Sequence, residues 1–493
     1  MLNKRKVTVI GAGFGGLSVA ALLAKQGFAV TVIEKNETYG GRAMIFKEKG
    51  YTFDMGPSWY LMPEIFENFF KIFDKKTTNY YQLKKLDPSY RIFFSKENMI
   101  DIYPELDKNI ETFESIEKGA GKQLKRYLKE SKFKYDLSIK EFIFNEYKNI
   151  FDFIKLRYIG ALFRFGITES LNNYVNRFFK SDYLKKIMQY SIVFLGGQPK
   201  TTPSLYSLMS HLDFTQGVFY PLGGIGEVTK ALYKLGVELG VEFKFSTEAI
   251  SINVSKNQVK SIVTSTGELT SDLVVVNADY HFAETKLLEK KYQTFSDDYW
   301  NKKIIAPSAF IIYLGVHKRI KNIIHHNLIL ENDWLKHFEE LFSKKVRPEN
   351  PSYYVCSPSK TDESVAPEGC ENLFILVPIP SGIEDNDSIR EEYSKKIISD
   401  FERYTGESFE NEIEVKRFFS INDYISMYNS YKGTALGLSH TLFQSTLWRP
   451  SHRSKKVKGL YYTGQYTNPG IGMAMTIISS QIVANEIQKG SIK

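Results

Sequence analysis

The residues best placed to do chemistry stand at the start of the chain, and most are glycines. In Gly11-Ala-Gly13-Phe14-Gly15-Gly16, Gly11 allows a tight turn and Gly13 lets a pyrophosphate approach the backbone. Gly16 lets a helix pack closely against the strand before it. A helix starting here points free N–H groups and the positive end of its dipole at an anion. Farther on, Glu34 offers a carboxylate that can accept bonds from the ribose hydroxyls of an adenine dinucleotide. The elements that must hold these groups follow from the pattern around them. Lys6–Ile10, apolar at Val7, Val9 and Ile10, reads as a buried parallel strand. Leu17–Gln26, rich in Ala and Leu, reads as a helix, and Ala29–Ile33 as a second strand. Strand, turn, helix, strand and acid arrive in the order of a dinucleotide-binding unit.

The next residues bear on which dinucleotide is bound. A nicotinamide dehydrogenase would continue into another strand–helix–strand crossover. Here Lys35 is followed by Gly40-Gly41-Arg42, then by Asp54-Met-Gly56-Pro57-Ser58. An arginine beside a glycine pair can neutralise pyrophosphate charge with its fork of donors, and a rigid Gly-Pro turn can lie against a flat ring. At the far end, the strand Gly459–Thr463 runs through Gly464-Gln465 into Pro469-Gly470-Ile471-Gly472-Met473, before a helix over Thr476–Gln488. A second helix N-terminus of this kind can stabilise negative charge on a reduced ring. The combination resembles the glutathione-reductase-like flavoproteins, above all the branch with amine oxidases and carotenoid desaturases. The cofactor implied is FAD.

Bulk properties narrow the remainder. At 493 residues the chain is too long for one ordinary core, so two domains are expected. A mean hydropathy of −0.28, with no run of some eighteen apolar residues, gives nothing that spans a bilayer. The basic start Met1–Lys6 leads straight into the first strand, so no cleavable leader is read there. The net charge of +9 comes without a nucleic-acid-binding motif. It reads as a lysine-rich surface, with attraction to an anionic membrane second. Cys356 and Cys370 have no metal spacing and are expected as reduced thiols in a cytoplasmic protein. His325 and His326, being adjacent, should point apart on regular structure, and no metal site is read.

In the middle of the chain, Pro63 opens a helix with Ile65, Phe66, Phe69, Phe70 and Phe73 on one face. Ile110–Lys134 reads as one amphipathic helix, and Asp333–Lys344 as another. Phe142–Phe165 interleaves aromatics with Lys148, Lys155, Arg157 and Arg164. It reads either as a core helix or as a surface resting in a membrane interface. Thr247–Val254 reads as a strand, as do Ala309–Val316 and Leu373–Val377 in a second sheet. Asp272–Asp279 returns to a buried parallel strand, so the second domain is an insertion. The expected division gives 1–90, 217–300 and 420–493 to the FAD-binding domain. Residues 91–216 and 301–419 go to the substrate- and membrane-associated domain.

Over nearly its whole length the sequence resembles the bacterial-type phytoene desaturases of carotenoid synthesis. The matching stretches are Gly11–Gly16, Gly40–Arg42, Phe53–Ser58, Asp87–Arg91, Tyr220–Gly224, Val365–Gly369, Gly433–His440 with Gln444, Arg449-Pro450, and Pro469–Gly472. Members commonly carry Gly-x-Pro where this chain has Gly472-Met473-Ala474, a departure at the contact with flavin edge or substrate. The resemblance implies an α/β fold, a Rossmann-like FAD domain with an inserted substrate domain of mixed sheet and helices. It also implies Ala249 beside the adenine and a long hydrophobic carotenoid substrate. With such a substrate and the Phe142–Phe165 stretch, the protein is expected in the cytoplasm, held peripherally on the inner face of the membrane. The reaction implied is removal of two hydrogens from a saturated C–C unit. Such chemistry demands no strong acid–base pair, because an allylic cation acidifies its neighbour. His211 and Asp213 are weak candidates for a base, and no catalytic residue is assigned. The alternatives are another carotenoid-modifying member on the same scaffold (a dehydrosqualene desaturase, carotenoid 3,4-desaturase, isomerase or oxidase), a flavin amine oxidase, or a non-catalytic carrier of polyenes.

Overall fold

A computed structural model describes residues 4–145, 168–330, 333–445 and 448–491. The expected aromatic helix therefore lies, from residue 146 onward, outside the described residues.

The first unit forms as its sequence pattern dictates. β1 (Lys6–Ile10) leads into α1 (Phe14–Lys25) and then β2 (Ala29–Ile33). β1 runs parallel to β2, with Val9 opposite Val32, and on its other side parallel to Leu273–Val276. Glu242–Lys244 and Leu460–Tyr462 complete a five-stranded parallel sheet from the two outer positions. Strand alternation sends side chains to both faces, and both are covered. Val7, Val9 and Val275 pack with α1 and the C-terminal helix Met473–Ser491. Ile10, Ile33, Val274 and Val276 pack with Ile252 and Ile262 of a three-stranded antiparallel sheet. The first and last helices, 448 residues apart at their nearest ends, thus lie on one face of one sheet.

The second sheet has seven strands, in the order Ile413–Phe419, Ser308–Val316, Glu371–Ile379, Tyr353–Cys356, His326–Ile329, Tyr90–Phe93 and Met99–Ile102. Its pairings are antiparallel except for that between His326–Ile329 and Tyr90–Phe93. All nine residues of Ser308–Val316 are buried, as a central strand covered on both faces must be. Tyr393, Ile397, Ile398 and Phe401 of the helix Asp387–Thr405 cover one face. An aromatic-rich cluster with Tyr127, Tyr174, Phe178 and Phe179 covers the other. Where another crossover was not expected, a hairpin (Ile45–Glu48 with Tyr51–Asp54) joins the two sheets. Phe46 and Phe53 pack on Tyr313, whose hydroxyl donates to the Met55 carbonyl at 2.8 Å.

Several boundaries differ from the sequence reading. Ile110–Lys134 is two helices, Leu106–Ile116 and Ala120–Leu137. They break at Gly119, with φ +87°, where Glu114 accepts the N–H groups of Gly119 and Gly121. In the Asp333–Lys344 stretch the α-helix is Trp334–Glu339, followed by a wider turn over Glu340–Lys344. The strand read from Thr247 begins at Ala249. α1 and the C-terminal helix both start three residues earlier than their apolar patterns show, taking in Phe14-Gly15-Gly16 and Met473-Ala474-Met475 as their first turns.

Candidate cofactor and substrate site

Backbone does most of the building at the N-terminal turn. Gly11 leaves β1 at φ +97°. A Cβ on Gly16 would sit 1.8 Å from the Gly11 carbonyl oxygen, and one on Gly15 would sit 2.3 Å from Asn277 Oδ1. Only glycine fits at position 16, and a side chain at position 15 would have to displace Asn277. Gly40 N–H donates to the Ala12 carbonyl at 2.9 Å, and a Cβ on Gly41 would lie 3.2 Å from the Gly13 Cα. The two glycine-rich stretches therefore lie against each other. Glu34 does more here than wait for a ribose. Its carboxylate accepts from Ala12 N–H at 2.8 Å, from Asn36 N–H at 3.0 Å and from Asn36 Nδ2 at 2.8 Å, and so pins the turn.

Arg42 extends over the Tyr428 ring at 5.3 Å and donates to Ser430 Oγ at 3.3 Å, while its Nε is buried without a partner. Lys35 Nζ turns to the Ser426 carbonyl at 2.6 Å and Asn429 Oδ1 at 3.2 Å. Gly56 is held so close that a Cβ would lie 2.4 Å from the Arg42 carbonyl oxygen. This fixes Pro57 and Ser58 beside the arginine.

The C-terminal turn approaches from the opposite side. Gly464 N–H donates to Ser479 Oγ at 3.0 Å, and Gly470 and Gly472 take φ +130° and +121° on entering the last helix. Arg449, fully buried, donates to the carbonyls of Gln444, Gln465 and Tyr466 and clamps this turn. Burial pulls its guanidinium down to about 10. His440 Nδ1 faces the Leu195 carbonyl at 3.1 Å, and burial, with Arg449 nearby, holds the imidazole neutral at about 3.

One cavity of about 830 Å³ joins these parts. Gly11, Gly13, Phe14, Gly15, Glu34, Lys35, Gly41, Arg42, Gly56, Pro57, Ser58, Ala249, Gly464, Gln465, Ile471, Gly472 and Met473 all line it. Gly16 does not; it is spent on packing α1 against β1. The same cavity is lined by Trp59, Tyr190 and Phe194, and by Trp334, His337, Phe338, Leu341 and Phe342, an aromatic and aliphatic arm. His337 in that arm is held neutral at about 4 by burial.

Sequence reasoning missed Asn277, Asp279, Tyr428 and Tyr466, which also line the cavity. For Asn277 and Asp279 a signal was present, since they follow a central parallel strand at its carboxyl end. Of the two weak base candidates, neither lines the cavity. His211 packs on Tyr135. Asp213 lies behind the wall, bonded to Tyr90 and Tyr190.

The histidine pair departs from expectation. The rings of His325 and His326 are 4.4 Å apart, and their ligating atoms fall within 4.8 Å of Cys356 Sγ. The alternation of a strand does not yet apply, because the strand begins only at His326. Tyr354 OH occupies His326 Nδ1 at 2.7 Å, and Thr361 Oγ1 occupies His325 Nδ1 at 2.8 Å. Burial keeps both imidazoles neutral, His325 at about 3. Both cysteines are free and buried.

Comparison with known proteins gives a consistent set. Residues 14–488 match the family of flavin containing amine oxidoreductases. The chain is 44% identical over 488 residues to a carotenoid 3,4-desaturase of Haloarcula japonica, covering 99% of this chain and 98% of that one. It is 32% identical to a zeta-carotene-forming phytoene desaturase of Myxococcus xanthus, covering 98% and 94%. Among solved structures, a putrescine oxidase superposes with a TM-score of 0.65 at 12% identity, covering 98% and 99%. An oxidoreductase of Methanosarcina mazei gives 0.64 at 16%, covering 97% and 100%. At these identities the likeness is one of fold, the Rossmann-like flavoprotein fold with a mixed second sheet.

The residues fit FAD on their own evidence. Gly16 and Gly56 stand where a Cβ would strike a backbone carbonyl, and Gly15 where it would meet the Asn277 side chain. The buried polar atoms Arg42 Nε, Gln465 Nε2 and Asn468 Oδ1 have no partner among the described residues, and such atoms call for one.

Proposed function

The chain belongs to the flavin containing amine oxidoreductase family and, within it, to the carotenoid desaturases; on that premise we propose that it inserts C=C bonds into a long acyclic polyene. It is an FAD-dependent oxidoreductase. The observation that carries the proposal is the continuity of one cavity from a glycine cradle into an apolar arm. A hydrocarbon needs no polar anchor, only burial and alignment.

We assign Gly11, Gly13, Gly15, Gly41 and Arg42 to the pyrophosphate, Glu34 to the ribose and Ala249 to the adenine. The turns Gly56–Ser58 and Gly464–Met473 are assigned to the two sides of the ring. Bound FAD supplies the hydride acceptor. The chain's own share is to exclude water from the arm and to hold one allylic CH2 of the polyene at the ring end of the cavity. Trp59, Tyr190 and Phe194 supply aromatic rings to the cavity wall that can favour a developing carbocation. Similarity to a carotenoid 3,4-desaturase at 44% identity supports the 3,4 position as the bond formed. The same reading divides the chain into the cofactor domain (1–90, 217–300, 420–493) and the substrate domain (91–216, 301–419). In its support, the second sheet draws its strands from Tyr90–Ile102 and Ser308–Phe419.

We also place the protein at the cytoplasmic face of a membrane, as a peripheral protein. No helix among the described residues is long and apolar enough to cross one. Support comes from Phe443, 67% exposed, stacked edge-on against Trp448, 44% exposed, beside cavity-lining Leu442 and Ser445. Exposed Phe144 likewise neighbours cavity-lining Ile143 and Asn145. Sedimentation with anionic vesicles, reversed by salt, is the expected result; indifference to vesicles refutes the membrane placement. For the activity, the FAD-loaded protein is incubated with a series of acyclic polyenes. Product masses should fall by one H2 per bond formed, and masses unchanged across the series refute the desaturase reading.

A further inference from the structure

Asp213 is a carboxyl group in an unusual position. It is 4% exposed, on the turn Leu212–Gln216, whose first residue Leu212 lines the cavity. Its Oδ2 accepts two phenolic O–H groups, from Tyr90 and from Tyr190, each at 2.7 Å, and its Oδ1 is buried with no partner. No cation pairs with it among the described residues. A carboxylate buried without a cation is expensive to keep for structure alone. The two phenols differ in one respect. Tyr190 lines the cavity, with Trp59 at 6.2 Å and Phe194 at 5.8 Å, whereas Tyr90 lies behind that wall.

We propose that Asp213 is the positioning residue through which Tyr190 accepts the proton lost from the polyene. The inference rests on the desaturase reading. Once hydride has left to the bound cofactor, the polyene carries an allylic cation. A C–H bond on the adjacent carbon then breaks, and its electron pair becomes the new π bond and quenches the cation. The proton goes to Tyr190 Oη while that phenol's own proton passes to Asp213 Oδ2, leaving a neutral phenol and a carboxylic acid. The acid must give its proton up before the next cycle. Before proton loss, the ionised carboxylate behind the aromatic wall also favours the cation across a medium of low dielectric.

The charge state suits the task. Burial pushes the Asp213 carboxyl up to about 7, with the two phenols opposing the rise. Tyr90 faces it from the second sheet and Tyr190 from the helical turn Tyr190–Leu195; both phenols are held far above their ordinary range by burial and by Asp213 itself. The helix Leu106–Ile116 contributes apolar Phe113 against Phe214, and His211 is turned to Tyr135.

The test compares wild type, Asp213→Asn, Tyr190→Phe and Tyr90→Phe as FAD-loaded proteins on one polyene. Wild-type kcat should rise with pH through about 7. Asp213→Asn and Tyr190→Phe should lose about 10²-fold in kcat with KM nearly unchanged, and should lose that limb of the pH profile. Tyr90→Phe should keep both rate and limb, with the limb shifted to higher pH because one stabilising bond is gone. Bound FAD and Tm identify any variant that merely fails to fold; should Asp213→Asn fail so, Tyr190→Phe decides. Wild-type rate and limb retained in Tyr190→Phe overturn the proposal. A wild type that desaturates nothing overturns the parent reading instead, and this one with it.

Discussion

The cradle at one end of the cavity and the arm at the other hold their ligands by different means. The cradle is main chain: Gly11 takes a left-handed φ, Gly16 leaves no room for a Cβ against the Gly11 carbonyl, and Glu34 pins the turn through backbone N–H groups. The arm is side chain: Trp334, Phe338, Leu341 and Phe342 present surface without a fixed polar grip. Backbone cannot adapt when crowded, whereas apolar side chains repack at modest cost. The contrast suits a fixed cofactor that meets a hydrocarbon sliding past it, and it predicts that equal substitutions at the two ends have unequal effects.

The largest effect is expected at Gly16. Gly16→Val places its Cβ 1.8 Å from the Gly11 carbonyl oxygen, so α1 must leave β1. The variant should hold no FAD and lose more than about 4 kcal/mol of stability, read by flavin content and urea unfolding. Normal FAD content would break the comparison at once.

Next comes His337, buried in the wall of the arm. Its ordinary value of 6.5 falls to about 4 in the folded protein, through burial. A lowered value means that His337 stabilises the fold above pH 6.5 and that this is lost as pH falls toward 4. The slope should be about 1.4 kcal/mol per pH unit. Relative to His337→Phe, the wild type should therefore weaken steadily between pH 6.5 and 4; a constant difference would place the imidazole in water rather than in the arm.

A smaller effect is expected of Glu34→Gln, which keeps shape but weakens charge-assisted bonds to Ala12 and Asn36. FAD affinity should fall by about 1.5–3 kcal/mol, some 10- to 150-fold by calorimetry, and an unchanged affinity would remove Glu34 from the cofactor site. Smallest is Phe342→Leu in the arm. Stability should change by less than about 1.5 kcal/mol and FAD affinity not at all, while the distribution of products shifts. A loss of FAD there would show that the two ends are not independent.

The same contrast explains what the sequence disclosed. Cradle residues announce themselves because few residue types tolerate their backbone, so Gly11–Gly16, Gly40–Arg42 and Gly470–Gly472 could be found by type and spacing. The strands were readable from runs such as Leu273–Val276, buried on both faces. The arm was not readable, since Phe and Tyr lining a cavity look like Phe and Tyr in a core. Asp213 with Tyr90, and Arg449 with the Gln465 turn, meet only through tertiary packing; the first pair is 123 residues apart. The break at Gly119 escaped because the apolar spacing continues across it, and only a left-handed glycine and the Glu114 cap mark the end of the helix. The facing of His325 and His326 escaped because strand alternation was assumed one residue too early.

The central claim is that cofactor and polyene share one water-excluding cavity, ring against chain. It is tested most directly by mixing FAD-loaded protein with one equivalent of an acyclic polyene in the absence of oxygen. The flavin absorption should fade at the same rate as the polyene band moves to longer wavelength, one new double bond per flavin. A polyene that binds while the flavin stays oxidised, or a flavin that fades without a change in the polyene, would contradict it.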